Sequence, residues 1–192
     1  MAKRQQKDTK VKIIEAALDL AAQKGWANVS LADIARGNKL SLADLHEHFG
    51  DKADILAGFS RMVDARVLEG LGEIDSEALP RDRLFDILME RFDILNEYRP
   101  GLVSVLDSFK LDPKQFIIGL PHLCKSMSWM LEAAGMDTLG LRGAARLAGL
   151  SGLYIKNLRV WAGDESPDMG KTMAALDKDL RRAESLANSF GL

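Results

Sequence analysis

Val29-Ser30-Leu31-Ala32-Asp33-Ile34-Ala35 and, six residues further on, Ser41-Leu42-Ala43-Asp44-Leu45-His46-Glu47-His48 decide how this chain is read. Each stretch opens with S-x-x-D. At that spacing the serine hydroxyl can accept from the backbone amide three residues on, while the aspartate reaches back to the serine amide. Gly37 and Asn38 punctuate the interval between them. The pattern predicts two short helices joined by a tight turn, the second able to offer its exposed face to a DNA major groove.

Working outward, helical spacing continues in both directions. Upstream, Asp8 or Thr9 caps a helix carrying Val11, Ile14, Leu18 and Ala21 on one face, and Gly25 ends it. Downstream, Lys52 begins a longer helix with Ile55, Leu56, Phe59, Met62 and Val63. Pro80 restarts the chain at a first-turn position, and Leu84, Leu88, Phe92 and Leu95 follow until Tyr98-Arg99-Pro100-Gly101 breaks the pattern. Asp112-Pro113 opens a helix expected to reach Gly135, with a disturbance at Gly119 to Pro121. A helix over about Leu139 to Trp161 carries a band of small side chains. Ser166-Pro167-Asp168 then starts a last helix, on which Met169, Met173, Leu176, Leu180, Ala183, Ala187 and Phe190 recur at spacings of three and four. No segment alternates with period two long enough to make a half-buried strand. The expectation is an all-α chain: a helix-turn-helix domain over 1–58 and a helical domain over 59–192.

Composition narrows the function. The 192 residues hold 26 Lys and Arg against 28 Asp and Glu, a net charge of −2, so any nucleic-acid footprint must be local. Residues 3–12 supply one candidate: Lys3, Arg4, Lys7, Lys10 and Lys12 against Asp8 give +4. From 13 to 52 the balance reverses, with Lys24, Arg36, Lys39 and Lys52 against Glu15, Asp19, Asp33, Asp44, Glu47 and Asp51. The lone Cys124 excludes an intramolecular disulfide and a cysteine-based zinc site, and it suits a reducing compartment. No stretch approaches the roughly 18 apolar residues of a membrane span, and no apolar segment follows the basic start, so the expected location is the cytoplasm.

Gly25-Trp26, the blocks quoted above, Leu40-Ser41, and His48-Phe49-Gly50-Asp51-Lys52-Ala53-Asp54-Ile55-Leu56 together resemble the TetR family of transcriptional regulators over about residues 9–60. The resemblance implies a homodimer on an inverted-repeat operator in double-stranded DNA, repression as the usual output, and a helical second domain that takes a small apolar effector. It places Ser30 and Lys52 at backbone phosphates, Ser41 at the cap of the recognition helix, and His46 where the family usually has a phosphate-binding tyrosine. Leu31, Ile34, Ala35, Leu45 and Phe49 would be core. With the basic arm and the exposed helix face, the candidate DNA-binding set is Lys3, Arg4, Ser30, Ser41, Leu42, Asp44, His46, Glu47 and Lys52. Where family members commonly carry lysine, glycine and threonine, this chain has Leu42, Ala43 and Asp44. Glu47 can accept from cytosine, although two carboxylates on a reading face repel phosphate.

A thinner resemblance links Trp26, the block Arg81-Asp82-Arg83-Leu84-Phe85 with Arg91-Phe92, and Trp161 to Asp168 to the ubiquinone-biosynthesis accessory proteins. Those share the TetR fold, bind isoprenoid lipid and do not read DNA. On that alternative the last helix leans on a membrane, its Met169 to Leu180 stripe facing lipid and Lys171, Lys178, Arg181 and Arg182 at the headgroups.

Phe109, Phe116, Met127, Trp129, Met130 and Tyr154 are the candidate walls of an effector pocket, since methionine and aromatic side chains make adaptable apolar cavities. Ala145, Ala148, Gly149, Gly152 and Leu153 are expected to meet Met173, Leu176 and Leu180 across a dimer axis. No cofactor, metal or catalytic group is expected. Gly170-Lys171-Thr172 lacks the first glycine and the preceding strand of a phosphate-binding loop, Glu165 standing where that glycine belongs. His46 and His48, two apart on a helix, cannot share a metal, and His122 and Cys124 have the same spacing without further ligands.

Overall fold

Both capping boxes close in the computed structural model, which describes residues 2–72 and 77–190, with side chains from residue 6 onward except those at 111, 113 and 190. Ser30 Oγ accepts from the Asp33 amide at 3.1 Å and the Asp33 carboxylate accepts from the Ser30 amide at 3.0 Å, which opens helix α2 (Leu31–Gly37). Ser41 and Asp44 repeat the arrangement at 3.1 and 3.0 Å and open α3 (Leu42–His48). Before them lie α1 (Ala2–Lys24) and a 3-10 turn at Trp26–Asn28, separated by Gly25 at φ +84°. With ψ at 133° this is not the left-handed helical cap expected after a helix, but a positive φ that glycine adopts without a Cβ clash. α1 starts earlier than the Asp8 or Thr9 cap suggested, because Ala2 to Lys7 contains good helix formers and no breaker.

The remaining elements among the described residues are also helices: α4 (Lys52–Gly70), α5 (Pro80–Asn96), α6 (Arg99–Leu111), α7 (Pro113–Ala133), α8 (Gly140–Ala162) and α9 (Gly170–Phe190). The described residues contain no strand. Three elements differ from the sequence expectation. Tyr98 to Gly101 does not merely end α5; it starts α6, since a proline in the first helical turn loses no intrahelical hydrogen bond. α7 runs without interruption through Gly119 and Pro121. α9 begins at Gly170 rather than at Pro167, because the Asp164 carboxylate holds the preceding segment as a turn. It accepts from the Ser166 amide at 3.1 Å, the Thr172 amide at 2.8 Å and Thr172 Oγ1 at 2.7 Å. Burial would raise the Asp164 carboxyl, but these hydrogen bonds hold it well below the usual carboxylate range.

The chain divides into two compact units, Met1–Val63 with Leu95–His122, and Asp64–Ile94 with Leu123–Leu192. In the first, α1 buries Ile13, Ile14, Ala17, Leu18 and Ala21, and α6 is its main neighbour. The two helices cross closely at Gly101, where a Cβ would stand 2.4 Å from the Leu18 carbonyl oxygen. α6 also anchors the 3-10 turn, since Ser104 Oγ accepts from the Trp26 amide at 2.8 Å. The core extends through Trp26, Ile34, Ala35, Leu45, Phe49, Ile55 and Phe59. Leu31, also expected there, is half-buried.

In the second unit α8 packs on α9, and the core holds Leu88, Phe92, Met127, Met130, Leu131, Tyr154, Trp161 and Leu176. Phe92 stacks with Tyr154 at 5.5 Å and with Trp161 at 6.4 Å between ring centroids. A buried polar group lies among them. Arg91 Nη1 and Ser126 Oγ both donate to Asp64 Oδ1, and Arg91 Nε donates to the Tyr154 hydroxyl at 2.9 Å. No helix among the described residues is long and apolar enough to cross a membrane.

Candidate nucleic-acid interface

Leu45 is the buried residue of α3, and around it the helix leaves Leu42, Ala43, Asp44, His46 and Glu47 exposed. At 100° per residue Ala43 and Glu47 point farthest from Leu45, with Asp44 and His46 on the flanks. Two of these groups differ in what they can do. The Asp44 carboxylate accepts from both the amide and the hydroxyl of Ser41, which hold it below its usual range. Its charge therefore belongs to the helix cap. Glu47 has no such ties among the described residues, and both its oxygens are exposed. His48 is half-buried, and its Nδ1 has no partner among the described residues.

Ser30 and Lys52, the two residues placed at phosphates by resemblance, are both engaged within the chain. The Ser30 amide and hydroxyl donate to the Asp33 carboxylate at 3.0 and 2.6 Å. Asp33 also receives Lys24 Nζ at 2.6 Å, and the bonds from Lys24 and Ser30 depress its carboxyl far below the ordinary range. Lys52 Nζ donates to the carbonyls of Trp26 at 2.7 Å and Val29 at 2.8 Å, and sits 4.4 Å from the Trp26 ring centroid. Partial burial, together with the Lys24 charge, lowers the Lys52 ammonium from its ordinary value. In the basic arm, Lys10 Nζ lies 5.5 Å from the Phe49 ring centroid. The side chains of Lys3 and Arg4 lie outside the described residues.

The other candidates are less gathered than expected. Phe109 and Phe116 meet edge to face at 6.1 Å in the first unit. Met127, Met130 and Tyr154 are buried in the second, while Trp129 is 56% exposed and so lines no interior wall. Trp129 sits two residues from Met127 and one from Met130, and the helical rotation that buries those two turns it to solvent. On α8, Ala145, Ala148, Gly149 and Gly152 form an exposed stripe and Leu153 is half-buried. Met173 on α9 is exposed, but Leu176 and Leu180 are buried within the chain and hold α9 in its own unit. Of the residues expected at a dimer axis, the α8 stripe and Met173 are therefore the exposed ones. Sequence reasoning singled out Arg91 only within a resemblance and missed its pairing with Asp64, because a buried ion pair leaves no local pattern. Among the described residues no group of three or more His, Cys, Asp or Glu could hold a metal ion.

A capped short helix, a tight turn and a second capped helix whose outward face is exposed make a helix-turn-helix arrangement. Residues 13–58 match the family described as bacterial regulatory proteins, tetR family. Solved TetR regulators share the fold over about nine-tenths of the chain. That from Nitrosomonas europaea is 22% identical, with 91% of this chain and 97% of that one covered and a TM-score of 0.72. A putative TetR-family regulator from Syntrophomonas wolfei is 18% identical over 94% and 95% of the two chains, with a TM-score of 0.62. A third, from Rhodococcus sp. RHA1, is 19% identical over 90% and 95%, with a TM-score of 0.56. No curated protein matches the chain.

Proposed function

We propose that this protein is a DNA-binding transcriptional regulator of the TetR type, a homodimeric repressor whose DNA-binding domain spans 1–58 and whose second domain, 59–192, takes a small apolar effector. The observation that carries the reading is α3, held by a closed cap at its start and by Leu45 underneath, with Leu42, Ala43, His46 and Glu47 free to enter a groove. Two such helices about 34–36 Å apart enter successive major grooves. An effector that binds one spacing better than another shifts operator affinity by that difference. The chain acts by binding, not by catalysis, and works in the cytoplasm.

The lipid-carrier alternative draws less support. Met169, Leu176 and Leu180 of its lipid-facing stripe are covered by the chain itself, which leaves Met173 exposed among the basic residues of α9.

The test is capture of sheared genomic DNA on the purified protein at moderate salt with excess nonspecific competitor, followed by sequencing. Enrichment of a short inverted repeat supports the reading; a folded, dimeric protein that enriches nothing overturns it. Glu47→Gln is expected to move the preferred base at one position of each half-site from cytosine toward adenine, a discrimination worth about 1–3 kcal/mol, since glutamine pairs with adenine. Selection from a randomised duplex library reads this directly.

Gly149→Leu checks the dimer. A Cβ at Gly149 meets nothing within 4 Å in its own chain, so the substitution leaves the protomer's fold intact. The expected result is a monomer by light scattering. An unchanged dimer mass removes the α8 stripe from the interface.

A further inference from the structure

Lys39 occupies the turn between α2 and α3 in the left-handed region, at φ +57°. Its amide donates to the Arg36 carbonyl at 3.1 Å, and the Leu40 amide to the Ala35 carbonyl at 2.9 Å, which closes the end of α2. Glycine or asparagine suits that conformation, and a lysine there is strained by its Cβ. Backbone strain of this kind persists at functional positions more often than elsewhere. The side chain is exposed, and among the described residues its ammonium has no hydrogen bond or ion pair. It stands two residues before Ser41, beside the helix that carries the reading face. The shallow concavity at this turn is also lined by Lys12, Glu15, Ala16, Asp19, Gly37 and Asn38, so two acids and two lysines face it.

The two groups otherwise expected at phosphates are spent. Lys52 points inward to two carbonyls and an indole, and Ser30 gives both its protons to Asp33. We infer that Lys39, and not Lys52, is the lysine of the helix-turn-helix that contacts a DNA phosphate, and that Lys52 is a positioning residue. Lys52 ties the segment Trp26–Val29 to the first turn of α4, and so sets where Ser30 starts α2. Lys39 supplies a charge at the edge of α3, where the surrounding acids leave few other free cations. This inference rests on the DNA-binding reading above.

The experiment measures binding of the full-length protein to a captured operator duplex and to an unrelated duplex across a salt series, with the melting temperature of each variant. Lys39→Gly is expected to raise the melting temperature, weaken both duplexes severalfold, and flatten the slope of log affinity against log salt by about 0.9. Lys39→Gln keeps the strained backbone and is expected to flatten the slope equally without a rise in melting temperature. Lys52→Met is expected to lower the melting temperature and leave the slope unchanged, with Lys52→Arg restoring part of the loss.

A flattened slope in folded Lys52→Met, with an unaltered slope in Lys39→Gly, overturns the assignment. So does a lower melting temperature in Lys39→Gly with unchanged DNA binding, which makes Lys39 a counter-charge to Glu15 and Asp19. An unsubstituted protein that binds neither duplex overturns the DNA-binding reading itself, and this assignment with it.

Discussion

Replacing Asp64 with leucine is expected to destabilise the second unit by about 3–5 kcal/mol, because it removes the buried carboxylate to which Arg91 and Ser126 donate. Arg91 is 3% exposed, and Asp64 accepts from both Arg91 and Ser126. The Tyr154 hydroxyl, also bonded to Arg91, cannot take over: burial raises its phenol, so it stays neutral. The double variant Asp64→Leu with Arg91→Met removes both charges and is expected to recover most of the loss, since apolar replacements of buried ion pairs are often neutral or better. Urea denaturation followed by tryptophan fluorescence checks both. A double variant no more stable than Asp64→Leu alone would show that the cost lies in lost packing and not in the buried charge.

Trp161→Ala is expected to be of the same size, about 3–5 kcal/mol, as for other large aromatic truncations in cores. Trp161 is 0% exposed and lies 6.4 Å from the Phe92 ring. Its removal opens an apolar void beside Phe92 and Tyr154, and such voids stay dry and accept small aromatic molecules. Adding indole to the variant is therefore expected to raise its melting temperature in a concentration-dependent way. A thermal-shift titration without any response would mean that neighbouring side chains collapse into the space.

The local part of this architecture was legible, and the long-range part was not. The S-x-x-D boxes at Ser30 and Ser41, Gly25 after α1 and Pro80 at the head of α5 depend on residues within one turn, so spacing alone placed them. Ile34, Ala35, Leu45 and Phe49 were expected in the core and are buried there. α6 escaped because Pro100-Gly101 reads as a break in sequence, whereas in the fold the proline sits in a first turn. The start of α9 escaped because Asp164 reaches Thr172 eight residues away. At the interface the same divide holds. The exposed face of α3 follows from its period, but Lys52 finds carbonyls 26 and 23 residues upstream, which no local pattern announces. Leu176 and Leu180 were read as a seam for a partner because periodicity reports that a face is apolar and not which surface covers it.

The crossing at Gly101 bears on how mutational data for this protein should be interpreted. With a carbonyl oxygen 2.4 Å from where a Cβ would lie, the position excludes every side chain, alanine included. In a saturation library scored for the regulation proposed above, residue 101 would rank with the most intolerant positions although it carries no charge. A map of intolerance drawn from such a screen would mark two different things alike, the outward face of α3 and the place where two backbones meet. Scoring protein abundance beside that readout separates them: substitutions at 101 deplete the folded protein, and substitutions at Glu47 leave it intact.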